Sequence, residues 1–374
     1  MDDHWQAQCL LLHSIPSLSD QHLCQLLLHY GGPRQVCESD TRDWVGLGVP
    51  AGAAAAAQLA LDRGGHPQAP LSLAEQGARL ASCGATILAV SSADYPPLLR
   101  AIDDPPPFLY LRGQPALLAR AQLAVVGARR ASPAGLRAAG ELAGEASRAG
   151  LVITSGLAIG IDGAAHEGAM AEGGATIAVM ATGIDNIYPA RHRRLAADIE
   201  LSGCLLTEFP PGMPALRENF PRRNRIVTGL SLGTLVVEAA LPSGSLISAN
   251  SALEQNREVF TLPWAIYHRA GAGCLKLLRE GAHLVLSADD ILEQLGPVAG
   301  LQRDFLREPG GGLEPAGGLS SEQARLYELV GYEVILARDL VQLSALPVAA
   351  IMAGLSALEL KGLVARCDGG YIRR

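Results

Sequence analysis

From residue 122 onward, short apolar runs recur about every 25 to 30 residues, and most are separated by a stretch with helical spacing. A continuous apolar run is typical of a strand that is buried on both faces of a parallel sheet. Strands that alternate with helices place those helices on both faces of the sheet. The pattern therefore predicts an α/β fold with a doubly wound parallel sheet. The predicted strands are Gln122–Val126, Leu151–Thr154, Ala175–Met180, Cys204–Thr207, Thr234–Val237 and Val259–Leu262.

Two further strands, over 85–90 and 108–111, are predicted to extend the sheet at its edge, since three prolines stand before the second one. Ser132-Pro133 favours a helix start, with serine as the N-cap and proline at the first helical position, and Gly150 favours its end. The sheet domain is predicted to cover residues 76–295.

Residues 1–75 have apolar positions at helical spacing that glycine and proline interrupt several times, which predicts a small helical domain. Residues 296–318 are rich in glycine and proline and predict a linker. The remainder, 319–374, predicts helices over 320–331, 338–343 and 347–362. A hairpin is predicted around Asp368-Gly369-Gly370, and the combination is typical of a winged helix.

The net charge of −7 means that the molecule as a whole does not attract nucleic acid, so any DNA site must be a local basic patch. Of the 30 basic residues only Lys276 and Lys361 are lysines, and neither stands in a Gly-Lys-Ser/Thr context. A P-loop ATPase is therefore excluded. Arginine suits bidentate phosphate contacts, although such a bias also follows from an alanine- and glycine-rich composition.

The seven cysteines are scattered and never have CxxC spacing, which argues against a disulfide framework or a zinc site. We expect neither a metal nor another cofactor. The acidic start and the absence of a long apolar run predict a soluble, cytoplasmic protein without a membrane partner.

Glycine-containing turns follow several of the predicted strands. In an open parallel sheet the carboxyl ends of the strands are where ligands bind, and backbone N–H groups there accept phosphate. Each turn alone is more typical of an ordinary tight turn, but together they predict a phosphate-binding crevice. The turn residues are Gly127, Ser155, Gly156, Gly183, Ser243 and Gly244.

Two arginine clusters stand beside these turns, and each follows an aromatic residue and a proline. The first, after Tyr188-Pro189, is Arg191, Arg193 and Arg194, and the second, after Phe220-Pro221, is Arg222, Arg223 and Arg225. Backbone charge and base stacking combine in single-strand grooves, so we expect both clusters to face the crevice. Glu208 and Glu218 are candidate ion-pair partners for some of these arginines.

Asp162 and His166 lie four residues apart on one predicted helix face and could form an acid/base pair. Neither a nucleophile nor a metal-ligand spacing accompanies them. The interpretation that we favour is that Asp162 supports the helix N-terminus while His166 packs nearby.

Taken in order, these motifs are similar to those of the DNA-processing protein A family, also called Smf. The match extends over residues 120 to 265. It comprises Val125-Val126-Gly127-Ala128-Arg129, Ser155 to His166, Gly183-Ile184-Asp185 through Tyr188-Pro189, Thr207 to Gly212, Asn219 to Ile226, Val236 to Ala239 and Ser243 to Ile247. Two departures are Ala128, where the family has serine, and Pro263-Trp264-Ala265, where it has Pro-Gly-Ser.

The resemblance implies an extended Rossmann-like fold with a SAM-like N-terminal domain, a homodimer, and sequence-independent binding of single-stranded DNA. It further implies loading of the RecA recombinase during natural transformation, without an enzymatic reaction. Arg129 carries the arginine of the family's Gly-Ser-Arg turn. The candidate DNA-binding residues are Gly127, Arg129, Ser155, Gly156, Gly183, Arg191, Arg194, Phe220, Arg222, Arg223, Asn224, Arg225, Ser243 and Gly244.

Two other functions remain open. Nucleotide phosphoribohydrolases also bind phosphate at glycine turns, but they carry a Pro-Gly-Gly-x-Gly-Thr turn where this chain has Pro242-Ser243-Gly244-Ser245. A winged-helix transcription factor is disfavoured because basic and acidic residues are nearly balanced over 333–374.

Overall fold

The computed structural model describes residues 3–65, 71–305, 321–330, 335–344, 346–361, 363–367 and 370–373. The chain divides into two compact units, Met1–Leu306 and Arg307–Arg374. The N-terminal helices and the sheet therefore belong to one unit. Among the described residues, no helix combines the length and the apolar character that crossing a membrane requires.

Five helices precede the sheet, and glycines end three of the helical segments, as the sequence predicts. Gly31, Gly48 and Gly64 each adopt the left-handed conformation at a C-cap. Trp44 is fully buried among these helices and its indole N–H donates to Ser39 Oγ at 2.8 Å. The helices are α1 (Asp3–His13), α2 (Asp20–Tyr30), α3 (Pro33–Glu38), α4 (Ala51–Arg63) and α5 (Leu73–Ser82). The predicted boundary at 75/76 falls inside α5.

The sheet has nine strands in the order β1-β2-β6-β5-β4-β3-β7-β8-β9. Their bounds are β1 (Thr86–Ala89), β2 (Phe108–Gly113), β3 (Gln122–Val126), β4 (Val152–Ser155), β5 (Thr176–Val179), β6 (Cys204–Thr207), β7 (Gly233–Val236), β8 (Glu258–Thr261) and β9 (His283–Leu284). Strands β3 to β9 are parallel, whereas β2 pairs antiparallel with both β1 and β6. The predicted doubly wound sheet and its two edge strands are confirmed.

Helices connect the strands: α6 (Pro97–Arg100), α7 (Pro133–Arg148), α8 (Ile161–Ala171), α9 (Arg193–Ser202), α10 (Asn219–Gly229), α11 (Gly244–Glu254), α12 (Ala272–Arg279) and α13 (Ala288–Phe305). Helix α7 begins where the sequence predicts, since Ser132 Oγ accepts from Gly135 N at 3.0 Å. Helices α7 and α8 touch through glycines: a Cβ on Gly168 would lie 2.2 Å from the Gly140 carbonyl oxygen. No larger residue fits at Gly168 unless the two helices move apart.

The predicted start of the linker at residue 296 is wrong, because α13 continues to Phe305. Ile291 and Leu295 pack in the core beside α7, and a helix held by that packing tolerates Pro297 at the cost of one backbone hydrogen bond. Residues 306–318 of the predicted linker lie outside the described residues.

The second unit contains α14 (Ser321–Leu329), α15 (Ala337–Ser344), α16 (Val348–Leu360), β10 (Val364–Cys367) and β11 (Gly370–Arg373). The two strands form an antiparallel hairpin, as predicted, although Asp368 and Gly369 at its tip are outside the described residues. Leu326, Leu340 and Ile351 belong to a core of its own. Three helices and a hairpin are the parts of a winged helix.

Candidate functional site

A crevice of about 800 Å³ lies at the carboxyl ends of β4, β3 and β7, where the chain leaves the sheet. Its walls come from the turns after these three strands, from the segment that enters α10, and from the start of α11. The lining residues include Gly127, Ala128, Arg129, Gly156, Asp162, Tyr188, Arg217, Phe220, Arg223, Asn224, Pro242, Ser243, Gly244 and Ile247. This is the edge at which the parallel sheet is expected to bind ligands.

The crevice brings together a majority of the candidate residues from the sequence. Those that line it are Gly127, Arg129, Gly156, Phe220, Arg223, Asn224, Ser243 and Gly244. Those that do not are Ser155, Gly183, Arg191, Arg194, Arg222 and Arg225.

Two glycines of the crevice are required by close packing. A Cβ on Gly127 would lie 2.4 Å from Ile161 Cγ1, and one on Gly156 would lie 2.5 Å from the Arg223 guanidinium. Since real Cβ atoms do not approach other heavy atoms so closely, a side chain at either position would force Ile161 or the Arg223 guanidinium to move. The turns therefore keep their backbones close to the crevice floor.

Arg129 is exposed at the mouth of the crevice and its guanidinium lies 4.9 Å from the centre of the Phe220 ring. Tyr188 meets the same ring edge-on, with centroids 5.7 Å apart. Within the described part of the chain no carboxylate lies within ion-pair distance of Arg129. Its charge is therefore available to an anionic ligand while the aromatic ring orients it.

Arg223 has a different environment, because its side chain is buried beneath the crevice. Its Nη1 donates to the Gly156 and Val179 carbonyl oxygens at the ends of β4 and β5. Burial lowers the pKa of Arg223 to about 10, which still leaves it charged at neutral pH. The residue thus ties two strand ends together and places a positive charge under the crevice floor.

The expectation that both arginine clusters face the crevice is wrong: no member of the first cluster lines it, and of the second cluster Arg223 does, whereas Arg222 and Arg225 do not. Both bind the buried carboxylate of Glu208, at 3.1 Å and 2.5 Å, so the predicted partner Glu208 is confirmed. Arg222 also pairs with Asp20 of α2, and Arg225 pairs with Asp104 at 3.1 Å. Arg222 thereby links α2 to Glu208 after β6, whereas Arg225 links Glu208 to the segment before β2.

Glu208 itself is almost fully buried, and burial raises its pKa to about 7 against the opposing effect of Arg225 and Arg222. A carboxylate in this position stabilises the junction when it is ionised and paired. The charged residues of this cluster can be read from the sequence, but their pairing cannot, because paired residues lie as many as 202 positions apart in the chain.

The remaining four candidates lie outside the crevice walls. Ser155 is buried and its hydroxyl donates to the Val125 carbonyl at 2.5 Å, which holds β4 against β3. Gly183 is also buried, next to the Pro210 carbonyl. Arg191 and Arg194 are exposed near the start of α9, where Arg194 has Asp198 at 4.0 Å.

Asp162 and His166 make structural contacts, and His166 packs in the core as predicted, but Asp162 binds the turn that precedes α8 rather than the N–H groups of the helix itself. Asp162 Oδ2 accepts from the Gly156 and Ala158 backbone N–H groups at 3.1 and 3.3 Å, and burial raises its pKa. His166 Nδ1 lies 2.7 Å from Thr176 Oγ1 within the core, and burial lowers its pKa to about 3. The aspartate therefore fixes the turn after β4, and the histidine is neutral at physiological pH.

Arg217 is a crevice residue that the motif analysis missed. It is exposed, lines the crevice three residues before Phe220, and has no carboxylate within ion-pair distance among the described residues. Its proximity in sequence to Phe220 was the available signal. Ser243, which the sequence analysis names as a turn residue, caps α11, since its hydroxyl accepts from Ser245 N at 3.2 Å.

The described residues contain no group of three histidine, cysteine or acidic side chains that could hold a metal ion. The polar groups that line the crevice include guanidinium groups, backbone N–H groups, serine hydroxyls, the Asn224 amide and the Asp162 carboxylate, and two aromatic rings stand beside them. Such an arrangement can bind phosphates and stack bases.

Comparison with protein families gives two matches. Residues 86–296 match the model described as DNA recombination-mediator protein A, and residues 313–370 match the DprA winged helix domain. The chain belongs to the DNA recombination-mediator protein A family. The family model covers the whole crevice, and the second match agrees with the helices and hairpin of the C-terminal unit.

Relatives in this family include Protein Smf of Escherichia coli, 42% identical over 296 residues, which are 77% of this chain and 77% of that protein. DNA processing protein DprA of Bacillus subtilis is 41% identical over 57% of this chain and 72% of its own length. The solved structure of DNA processing protein A from Streptococcus pneumoniae matches with a TM-score of 0.68 at 33% identity, over 77% of this chain and 97% of that one.

A second solved structure, of DNA processing protein A from Helicobacter pylori, concerns its mode of binding single-stranded DNA. It matches with a TM-score of 0.52 at 29% identity, over 57% of this chain and 96% of that one. The family's fold, including the extended Rossmann-like sheet that the resemblance implied, is thereby confirmed.

Proposed function

We propose that this member of the family binds single-stranded DNA in the crevice, without sequence preference and without catalysing a reaction. The observation that carries the proposal is that two exposed arginines, Arg129 and Arg217, line the crevice at the carboxyl edge of the sheet, with Arg129 over the Phe220 ring. Guanidinium groups neutralise phosphates, and an aromatic ring stacks on any base. The single-strand binding described for the Helicobacter pylori protein supports the same ligand here.

Sequence independence follows from the kinds of group in the crevice. Arginine and backbone N–H groups contact the phosphates, which carry no sequence information. A stacking ring accepts all four bases because each has a π-face. We therefore expect similar affinity for strands of different composition, with modest differences that follow stacking strength.

The enzymatic alternative requires a free acid or base, and the crevice carboxylate Asp162 is already engaged. Its Oδ2 accepts two backbone N–H groups, and its side chain is buried. Incubation with the four nucleoside monophosphates, followed by a search for released base, tests this alternative. Turnover above a protein-free control would contradict the proposal of a purely binding role.

Fluorescence anisotropy with labelled single-stranded and duplex oligonucleotides of equal length tests the main proposal. We expect tighter binding of the single strand across a salt series. The double variant Arg129→Ala/Arg217→Ala should weaken it, while preserved circular dichroism shows that the protein is folded. Equal affinity of the double variant and the wild type would place the DNA site elsewhere.

We further propose that the protein acts as a homodimer and loads the RecA recombinase on single strands during natural transformation and homologous recombination. Two grooves in one particle raise the avidity for a long strand. Sedimentation at micromolar concentration tests self-association. Filament formation by RecA on strands coated with single-strand-binding protein, with and without this protein, tests loading.

A further inference from the structure

The loop after β8, residues 263–271, is firmly attached to the turn after β7. Trp264 Nε1 donates to the Val237 carbonyl at 2.8 Å, and its ring stacks on His268 with centroids 4.4 Å apart. The His268 ring lies 3.8 Å from Glu238, and Gly271 packs against Trp264. The Trp264 side chain thus holds the two turns together.

The same loop nevertheless exposes large apolar side chains at its tip. Tyr267 is 90% exposed and Ile266 is 78% exposed, although the residues on either side are anchored. Exposed apolar groups on a fixed support are typical of a binding surface. Arg269 follows, is also exposed, and has no carboxylate within ion-pair distance among the described residues.

The position of the loop connects it with the crevice. The sheet order β4-β3-β7-β8 places the turns after these four strands side by side at the carboxyl edge. The turns after β4, β3 and β7 line the crevice. Adjacent strands are about 5 Å apart, so the fourth turn stands one strand spacing beyond the crevice wall. Leu241 and Ile247, both partly exposed, lie on the β7 side of this boundary.

The aromatic ring inside the crevice is already occupied on one face. Phe220 has the Arg129 guanidinium 4.9 Å from its centre and Tyr188 against its edge. Tyr267 has both faces accessible. A strand that leaves the crevice across β7 would therefore meet a free ring next to an unpaired arginine.

We propose that Tyr267 is a stacking platform for an unpaired base beyond the crevice, and that Arg269 contacts an adjacent phosphate. This inference rests on the proposed single-strand binding. It extends the DNA track along the carboxyl edge of the sheet, from β4 to β8. The combination of an aromatic ring with a neighbouring cation is the one that single-strand grooves use.

The test compares Tyr267→Ala with Tyr267→Phe, which keeps the ring, and with Leu201→Ala as a matched control. Leu201 is 80% exposed and precedes β6, so it lies at the opposite edge of the sheet. The probes are an oligothymidylate and a strand of the same length that is abasic throughout. Anisotropy gives the affinity of the full-length protein for each.

We expect Tyr267→Ala to weaken binding of oligothymidylate by about fivefold or more, which is the effect of losing one stacked base. Binding of the abasic strand should not change, and Tyr267→Phe and Leu201→Ala should resemble the wild type. Arg269→Ala should make the slope of log affinity against log salt shallower by about 0.7 on both strands.

The outcomes separate this inference from the proposed function. If the wild type binds neither strand, single-strand binding itself is wrong. If the wild type binds both and Tyr267→Ala behaves like Leu201→Ala, only the platform is wrong. If Tyr267→Ala instead loses affinity together with self-association in sedimentation, the loop tip contacts a second copy of the chain. That result would overturn the proposal.

Discussion

Replacing Arg129 with alanine removes one positive charge from the mouth of the crevice. Because this guanidinium is exposed and has no carboxylate within ion-pair distance among the described residues, its loss breaks no ion pair. The change also removes the contact with Phe220 at 4.9 Å, which is worth about 0.5–1 kcal/mol at an exposed site. Stability should therefore fall only slightly.

The expected effect on binding follows from counterion release. One phosphate contact contributes about 0.7 to the slope of log affinity against log salt for single strands. Between 50 and 200 mM salt, a fourfold change, the ratio of wild-type to mutant affinity should shrink by about 2.6-fold, which is four to the power 0.7. Arg129→Lys should keep the slope, since lysine keeps the charge.

Arg148→Ala is the matched control, because it changes the net charge equally at the other end of α7. This helix has 16 residues and is therefore about 24 Å long. That length exceeds two Debye lengths at physiological salt, so Arg148 should not affect a ligand near Ser132 and Arg129. If Arg129→Ala is folded and shows the slope and affinity of Arg148→Ala, the assignment of Arg129 as a DNA contact is refuted.

Three further predictions concern the surroundings of the crevice. Gly156→Ala should displace the Arg223 guanidinium, which lies 2.5 Å from the added Cβ, and should lower both Tm and single-strand affinity. Thermal melting and anisotropy measure these two quantities, and an unchanged Tm and affinity would contradict the packing argument. Because the folded-state pKa of His166 is lowered to about 3, the unfolded state binds more protons below pH 6.5, and stability falls with decreasing pH. From pH 6.5 to 5 this one group should cost about 2 kcal/mol in urea unfolding, and His166→Gln should lack that loss. Truncation after Leu306, the end of the first compact unit, should leave single-strand affinity unchanged, and its abolition in a folded product would move the site to the winged helix.

The strands could be predicted because each is a short apolar run between polar turns. Gln122–Val126 and Cys204–Thr207 agree at both ends with the structure, and the other predicted strands of the sheet differ by one or two residues, whereas the two-residue strand β9 was not predicted. The cap at Ser132 could be predicted for the same reason, since a serine before a proline acts locally. These features depend on neighbours in sequence.

Features that depend on distant contacts could not be predicted. Arg222 and Arg223 are adjacent in one motif, yet one pairs with Asp20 and the other binds carbonyls at the strand ends. Side chains at successive positions of a helix point in different directions, and only the tertiary structure decides which of them meets the crevice. Arg217 was missed because it belongs to no motif.

The glycine crossing of α7 and α8 affects how a saturation mutagenesis experiment on this protein would be interpreted. Gly168 leaves no space for a methyl group, because a Cβ there would meet the Gly140 backbone, and it does not line the crevice. Selection for recombination in cells would mark Gly168 as intolerant, with the same severity as a ligand contact. A parallel measurement of protein abundance would distinguish the two cases, because substitutions at Gly168 should deplete the folded protein, whereas substitutions at Arg129 should leave its amount unchanged.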